Sequence, residues 1–393
     1  IKKRKECVIF YIIIYIFIIQ ENMKILIIHT AFIGDIVLST PLIQRLKDMY
    51  PISEIDYLTL PANQSVISNN PNLNEIILYD KKGKDKGIKG FLRVLKILKQ
   101  KKYDYAVIPH RFIKSILLAK LAKIPNIAGF DVATGSFLLN KKVHYDMKKH
   151  EVERLLDLVE YKGEKIPIRI YPAKENFVKI NKILKNHGYF ENEGQKLILV
   201  APGSQRAEKM WPIEKYREVI EKLKENKNYF IGITGSKIEK ELPLNFENDK
   251  NVIDFRGEIN LVEFGALISK ADIVVGNDSS PIHIASGFEK PFVIGIFGPG
   301  KRSLGFFPWK EKSNVIEDNE FYENNIVKIE FIHWIIFSII EAVSVVYCYK
   351  KISRVNKVNI HFTLLCLVSL PKQVKDLQTY TALVCFFCSL SNS

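Results

Sequence analysis

Met23-Lys-Ile-Leu-Ile-Ile-His29-Thr-Ala-Phe-Ile-Gly34-Asp35-Ile-Val-Leu-Ser-Thr-Pro41 opens a strand–loop–helix unit that sets the pattern for the rest of the chain. Lys24 to His29 is an apolar run of strand length, and such a run suits a strand buried on both faces. A short loop containing Gly34 follows, then an apolar-periodic helix from about Asp35 to Tyr50. Downstream, strands at Glu54 to Leu60, Glu75 to Leu78, Tyr105 to Pro109 and Asn126 to Gly129 alternate with helices at Ala62 to Asn69, Ile88 to Gln100 and Phe112 to Lys123. Alternation at this pitch predicts a parallel sheet covered by helices on both faces.

A stretch rich in Lys, Asn, Pro and Gly, Tyr161 to Gly194, reads as an interdomain region, and a second series begins beyond it. Its strands are Leu197 to Ala201, Tyr229 to Ile233, Val252 to Asp254, Ile273 to Val275 and Phe292 to Ile296. Its helices fall at 213–226, about 237–241, 261–270 and 282–287. The expected fold class is therefore α/β, with two tandem Rossmann-like doubly wound parallel-sheet domains, 23–172 and 173–328, facing across a cleft. Ligands bind such sheets outside the carboxyl ends of the strands.

The 393 residues, 47% hydrophobic and 26% charged, suffice for two buried cores. A net charge of +15 calls for an anionic partner: nucleic acid, a membrane surface or a phosphorylated substrate. No nucleic-acid reading motif is present, so that partner is not expected. The five cysteines all lie outside residues 8–347, leaving the body without a disulfide, as in a reducing cytosol. The Cys385-Phe-Phe-Cys388 spacing lacks a second ligand pair and reads as incidental.

The two ends differ from the body. Basic residues from Lys2 to Lys5 precede a twelve-residue apolar run, Val8 to Ile19, too short to span a bilayer. Residues 1–22 read as upstream sequence before a start at Met23, with a short membrane anchor as the alternative. Residues 329–393 read as an atypical hydrophobic tail, within which 331–349 is a conceivable transmembrane helix carrying a costly Glu341.

Four clusters carry candidate chemistry. Asp35, after Gly34 at the end of the first strand, reads either as a helix N-cap or as a carboxylate able to take a proton from an acceptor hydroxyl. Ala201-Pro-Gly-Ser204-Gln205-Arg-Ala-Glu-Lys209-Met-Trp211-Pro212 combines small residues, polar side chains and a cation in a manner suited to a pyrophosphate; a solvated linker is the alternative. In Gly276-Asn-Asp278-Ser279-Ser280-Pro-Ile-His283, Ser280 reads as the cap of a helix starting at Pro281, whose free amides favour a phosphate. His283 in its first turn is either a donor-site residue or an ordinary core histidine. Glu239, after Thr234-Gly-Ser236, reads as a ribose acceptor or as part of a solvated helix face. There is no phosphate loop with a G-x-x-x-x-G-K-[ST] pattern and no D-x-D triplet, which disfavours a P-loop ATPase and a metal-chelated nucleotide.

Together, Gly34-Asp35-Ile-Val-Leu-Ser-Thr-Pro41, Lys209-Met-Trp211-Pro212 and Arg256-Gly-Glu-Ile-Asn-Leu261 leading to Asn277-Asp278-Ser279-Ser280-Pro-Ile-His283 resemble glycosyltransferase family 9, over about residues 23–320. The resemblance implies an inverting, metal-independent enzyme of the GT-B fold, without a cofactor, that moves heptose from ADP-heptose or a related nucleotide sugar to a lipid A-linked lipopolysaccharide core. By the same resemblance Asp35 is the general base and Lys209 neutralises the leaving phosphates. Gly34, Ser204, Gln205, Ile259, Asp278, Ser279, Ser280 and His283 would line the donor, and Glu239 would hold its ribose. The family shows Gly where Ser280 stands. The implied location is cytoplasmic, peripheral on the inner face of the cytoplasmic membrane. Two rivals stand beside this reading: another nucleotide-sugar transferase or epimerase of the same fold, and an inactive membrane-associated remnant.

The segment Lys81 to Lys102 holds ten Lys/Arg against one acid, Asp85. With Phe91, Leu92, Leu95 and Leu98 interleaved, it reads as a surface for anionic lipid or a phosphorylated acceptor, or as an ordinary amphipathic helix with a lysine face.

Overall fold

The computed structural model describes residues 23–191, 194–246, 249–298 and 302–317. The expectations for residues 1–22, for the tail from 329 and for all five cysteines lie outside these. The first half contains β1 (Lys24–Ile28), α1 (Ile33–Leu38), α2 (Thr40–Met49), β2 (Glu54–Thr59), α3 (Gln64–Ile67), β3 (Glu75–Leu78), α4 (Gly87–Lys101), β4 (Tyr105–Ile108), α5 (Ile113–Leu121), β5 (Asn126–Phe130), β6 (Lys141–Val143) and α6 (Glu151–Asp157). The second contains α7 (Lys174–Asn186), β7 (Lys196–Ala201), α8 (Ile213–Leu223), β8 (Tyr229–Ile233), β9 (Val252–Asp254), α9 (Leu261–Ile268), β10 (Ile273–Asn277), α10 (Ser280–Ala285), β11 (Phe292–Phe297) and β12 (Ser313–Glu317).

Both sheets are six-stranded and parallel throughout. Their orders are β3-β2-β1-β4-β5-β6 and β12-β11-β10-β7-β8-β9, the same path traced twice. In each, the chain winds outward one way, then restarts beside the first strand. The resulting switch points lie between β1 and β4 and between β7 and β10, where the loops diverge and leave room for a ligand. The strands are apolar because helices cover both faces: Ile25, Leu26, Ile27 and Ile28 of β1 are all fully buried. Each such side chain contributes roughly 1.5–3 kcal/mol relative to exposure.

Several expectations need correction. The single helix predicted from Asp35 to Tyr50 is two, divided at Ser39. Pro41 has no amide to give to the Val37 carbonyl. The hydroxyls of Thr40 and Ser39 donate instead to Val37 (2.9 Å) and Ile36 (2.7 Å). The stretch read as an interdomain region contains a helix that was not expected, α7, whose Ile180 and Leu184 are buried and whose Lys179 pairs with Glu263 on α9 at 2.9 Å. Its lysines and asparagines lie on one face of an amphipathic helix, and composition alone hid the apolar stripe. The short elements β6, α6 and β12 were also unforeseen.

On α4, Leu95 and Leu98 are buried against the sheet, and of the four interleaved apolar residues only Leu92 is well exposed. Arg93 binds Asp85 and Lys101 binds Asp56 and Glu75, whereas Lys82, Lys84, Lys86, Lys89, Lys96, Lys99 and Lys102 lie exposed. The apolar stripe therefore serves the core, and the face left over is mainly cationic, with Leu92 and Gln100 exposed among the lysines. Among the described residues no helix is long and apolar enough to cross a membrane.

Candidate active site

The loops at the two switch points meet where α1 packs against α10. Gly34 lies at this contact. A side-chain carbon added there would lie 3.2 Å from Cδ2 of His283 and 3.9 Å from the backbone of Ser280. Glycine leaves room here for the second half to press directly on the helix that carries Asp35; a larger residue would require His283 to shift.

Asp35 is the third residue of α1, not its cap as one reading had it; the cap position is Phe32. Its Oδ2 accepts from the Phe32 amide at 3.1 Å. The carboxylate keeps partial exposure, yet surrounding protein pushes its pKa up to about 6. Burial is the main cause and the nearby charge of Glu151 adds to it, while the Phe32 amide, Lys209 and Arg111 act in the opposite sense. An aspartate raised to this range is matched to proton abstraction near neutral pH.

Opposite it, Lys209 ends a 3-10 turn, Ala207–Lys209, in the loop after β7. Its Nζ lies 2.5 Å from Oδ2 of Asp278, in the loop after β10. Asp278 is almost fully buried, and burial raises its pKa against the pull of Lys209. The pair therefore bridges the two loops that flank the second switch point. Between them Asn277, fully buried, uses its whole amide: Oδ1 accepts from the Trp211 amide (3.0 Å) and the Tyr216 hydroxyl (2.9 Å), and Nδ2 donates to the carbonyls of Pro202 (2.8 Å) and Gly203 (3.3 Å). Asn277 thus holds the lysine loop in shape.

The helix α10 begins one residue earlier than expected, with Ser279 at the cap position and Ser280 first. Among the described residues the Ser279 hydroxyl caps nothing, and its Oγ is buried without a partner, as is Nδ1 of His283. Leaving such atoms unpaired costs about 1–3 kcal/mol each, a cost that a ligand atom would remove. Burial takes the His283 pKa down to about 3, with Lys209 acting in the same direction, so the imidazole is neutral.

Glu239 lies in a 3-10 turn and accepts from the Ser236 amide. Any side chain on Gly203 would collide with its carboxylate, so half-buried Glu239 sits directly against the Gly203–Ser204 loop while Ile238, Lys240 and Glu241 of the same turn are exposed. Buried Arg256 holds that turn through the Glu239 and Leu242 carbonyls (3.1 and 2.8 Å) while pairing with Asp254. Ser204 is half-buried and Gln205 exposed on the same loop, and Ile259 packs partly buried against the core.

The sequence model of glycosyltransferase family 9 (heptosyltransferase) matches residues 91–330. The chain belongs to that family. It is 28% identical over 318 residues to the lipopolysaccharide core heptosyltransferase OpsX of Haemophilus influenzae, covering 79% of this chain and 87% of that protein. It is also 28% identical to lipopolysaccharide heptosyltransferase 3 of Escherichia coli, over 72% of this chain and 84% of that one. Among solved structures, a family 9 glycosyltransferase from Veillonella parvula superposes with a TM-score of 0.70 at 22% identity, over 79% of this chain and 90% of that one. The E. coli ADP-heptose lipopolysaccharide heptosyltransferase II superposes with 0.62 at 23%, over 77% and 94%. The fold is GT-B, and the chain is a glycosyltransferase.

Within this family 9 chain the site has parts that sequence reasoning missed. At the first switch point, Nδ1 of His110 accepts from the Phe112 amide at 3.3 Å, so Nε2 carries the proton between the hydroxyls of Thr30 (3.1 Å) and Ser115 (2.8 Å). Lys81 donates to Thr30 at 2.6 Å. His29 stacks on His110 with ring centres 5.8 Å apart, and burial holds both imidazoles neutral. These residues gather only through β1, β3 and β4. Their one signal in the sequence is position: His29, Thr30, Lys81 and His110 stand at or just beyond the carboxyl end of a predicted strand, whereas Ser115 lies in a predicted helix. The Arg111 and Glu151 charges that act on Asp35 were missed for the same reason.

Proposed function

We propose that this glycosyltransferase moves a heptose from ADP-heptose to the inner core of a lipid A-linked lipopolysaccharide acceptor, with inversion, by a single displacement. The observation that carries the reading is a carboxylate of raised pKa on one half, set within the field of a lysine on the other, where the two switch points meet. Asp35 takes the acceptor hydroxyl's proton as its oxygen bonds to the anomeric carbon. The bond from that carbon to the diphosphate oxygen breaks, and the nucleoside diphosphate leaves with the electron pair. Lys209 stabilises the developing phosphate charge, with Ser279, Ser280 and His283 lining the same end. Glu239 beside the Gly203–Ser204 loop suits a ribose, and Gly34, Ser204, Gln205, Ile259 and Asp278 complete the donor wall. The nucleotide-sugar and acceptor classes follow the names of the relatives. The start of α7, which packs on α9, supports a boundary between the two domains at 172/173.

Calorimetry on the full chain tests the donor. ADP is expected to bind at least about tenfold more tightly than UDP, a difference of about 1.4 kcal/mol. Preference for UDP would redirect the assignment to another nucleotide-sugar transferase, and transfer from ADP-heptose to a heptose-free core would then fail.

We further propose that the chain acts at the cytoplasmic face of the inner membrane as a peripheral protein. The support is the exposed lysine face of α4, since each cation near an anionic surface is worth about 1 kcal/mol. Binding to phosphatidylglycerol vesicles should fall by at least tenfold when Lys89, Lys96 and Lys99 become Glu. Unchanged binding removes this surface from the proposal.

A further inference from the structure

Phe32 stands on the β1–α1 loop, three residues before the end of the first turn of that helix at Asp35, and it is 72% exposed. The other exposed phenylalanines among the described residues, Phe137, Phe190 and Phe292, reach only 41–43%. A single exposed apolar residue is ordinary on a protein surface. This one differs in where it is held and how firmly.

Its main chain is fixed on both sides. The Phe32 amide donates to Oδ2 of Asp35 at 3.1 Å, and its carbonyl accepts from the Ile36 amide at 3.2 Å. One residue earlier, the Ala31 carbonyl accepts from Nδ2 of Asn63 at 3.0 Å, and that buried asparagine also donates to the Thr59 hydroxyl at 3.1 Å. One residue earlier again, the Thr30 hydroxyl meets His110 and Lys81. The loop is thus tied to the carboxyl ends of β2, β3 and β4. A phenyl ring has few torsions of its own, so little freedom is lost when a ligand settles on it.

The chemistry of the proposed reaction decides what meets that ring. A hydroxyl that gives its proton to Asp35 must come within about 3 Å of the carboxylate. The Phe32 amide is already about that close, so the attacking hydroxyl and residue 32 are neighbours around one carboxyl group. Standard bond lengths then keep the phenyl ring within about one sugar's width of the attacking oxygen. A pyranose presents hydroxyls at its rim and C–H groups on its faces. The rim suits Asp35, and a planar apolar ring suits the C–H face, because stacking takes both surfaces out of water. Lipid chains fit this position less well: covering Phe32 with them would also take the Asp35 carboxylate out of water.

We propose that Phe32 is the platform for the acceptor sugar: its ring stacks on the C–H face of the sugar whose hydroxyl Asp35 deprotonates, and so selects which hydroxyl faces the base. This rests on the reading of Asp35 as the base. It makes Phe32 a determinant of acceptor binding and not of donor binding.

The test is calorimetry of a deacylated, heptose-free core oligosaccharide with the full chain in its Asp35→Asn form, loaded with ADP, so that binding is read without turnover. Adding Phe32→Ala is expected to weaken the oligosaccharide about tenfold while ADP affinity stays unchanged. Phe32→Tyr keeps the plane and should keep the affinity. Phe32→Leu keeps only apolar bulk and should bind as weakly as Phe32→Ala. With Asp35 intact, KM for the oligosaccharide should follow the same order. Oligosaccharide affinity unaltered in Phe32→Ala overturns the proposal. So does full affinity in Phe32→Leu, and so does a loss confined to phosphatidylglycerol vesicles, which would give the ring to lipid. Undiminished transfer by Asp35→Asn is a separate result: it removes the base assignment, whereas the binding series still shows whether the sugar rests on Phe32.

Discussion

Replacing Asp35 by Asn should lower the rate of heptose transfer about 10²–10⁴-fold, the usual worth of a positioned general base, while leaving nucleotide affinity near the parent value. Asparagine preserves shape and the contact with the Phe32 amide but cannot accept a proton. Because the Asp35 pKa stands at about 6, the parent enzyme should lose activity as pH falls through that value. Asn should have no such limb. The stability effect has the opposite sense. A carboxyl whose pKa is raised by folding favours the folded state when protonated, and that advantage is lost as pH rises through about 6. Near neutral pH the ionised Asp35 is thus a stability cost, and Asp35→Asn should melt at or above the parent temperature. Turnover within tenfold of the parent would remove Asp35 from the mechanism.

Replacing Lys209 by Ala should cost about 10²–10³ in turnover, the magnitude seen when one preorganised stabiliser of transition-state charge is lost. Affinity for ADP should weaken too, since the proposed mechanism sets the ammonium beside phosphate charge in both ground and product states. Two secondary effects distinguish loss of this cation from general damage. Asp278, nearly buried and deprived of its partner at 2.5 Å, should lower stability, most of all at high pH where it must ionise. The acid limb belonging to Asp35 should move to higher pH, because Lys209 is one of the groups that favours its ionised form. Steady-state rates across pH, ADP calorimetry and thermal melts across pH check all four. A variant with parent-like ADP affinity and turnover would show that the leaving phosphates are neutralised elsewhere.

Much of the fold was legible because parallel strands buried on both faces must be apolar along their whole length. Lys24–Ile28, Lys196–Ala201 and Phe292–Phe297 advertise themselves as runs, and the helices between them by period. Where an element is short or carries a polar face, as in β6, β12 and α7, composition misleads and the signal fades. Candidate site residues were legible for a related reason: Asp35, Lys209, Asp278 and His283 all follow predicted strands, where this architecture gathers ligands. Their partners were not. Ser280 looked like a cap until Ser279 took that place, and Glu239 looked solvated until Gly203 was found against it.

Chain order and residue type therefore suffice for two wound sheets and a shortlist of reactive groups at their carboxyl edges. Strand order, the meeting of Gly34 with His283, the Lys209–Asp278 pair and the hydrogen bonds from Arg154 and Glu151 to Leu304 and Gly305 join residues about 70 to 250 positions apart. So does the raised pKa of Asp35, which depends on burial and on charges from distant loops. Electrostatic energy depends on separation in space and on access to water, and neither is a property of neighbouring letters in a chain.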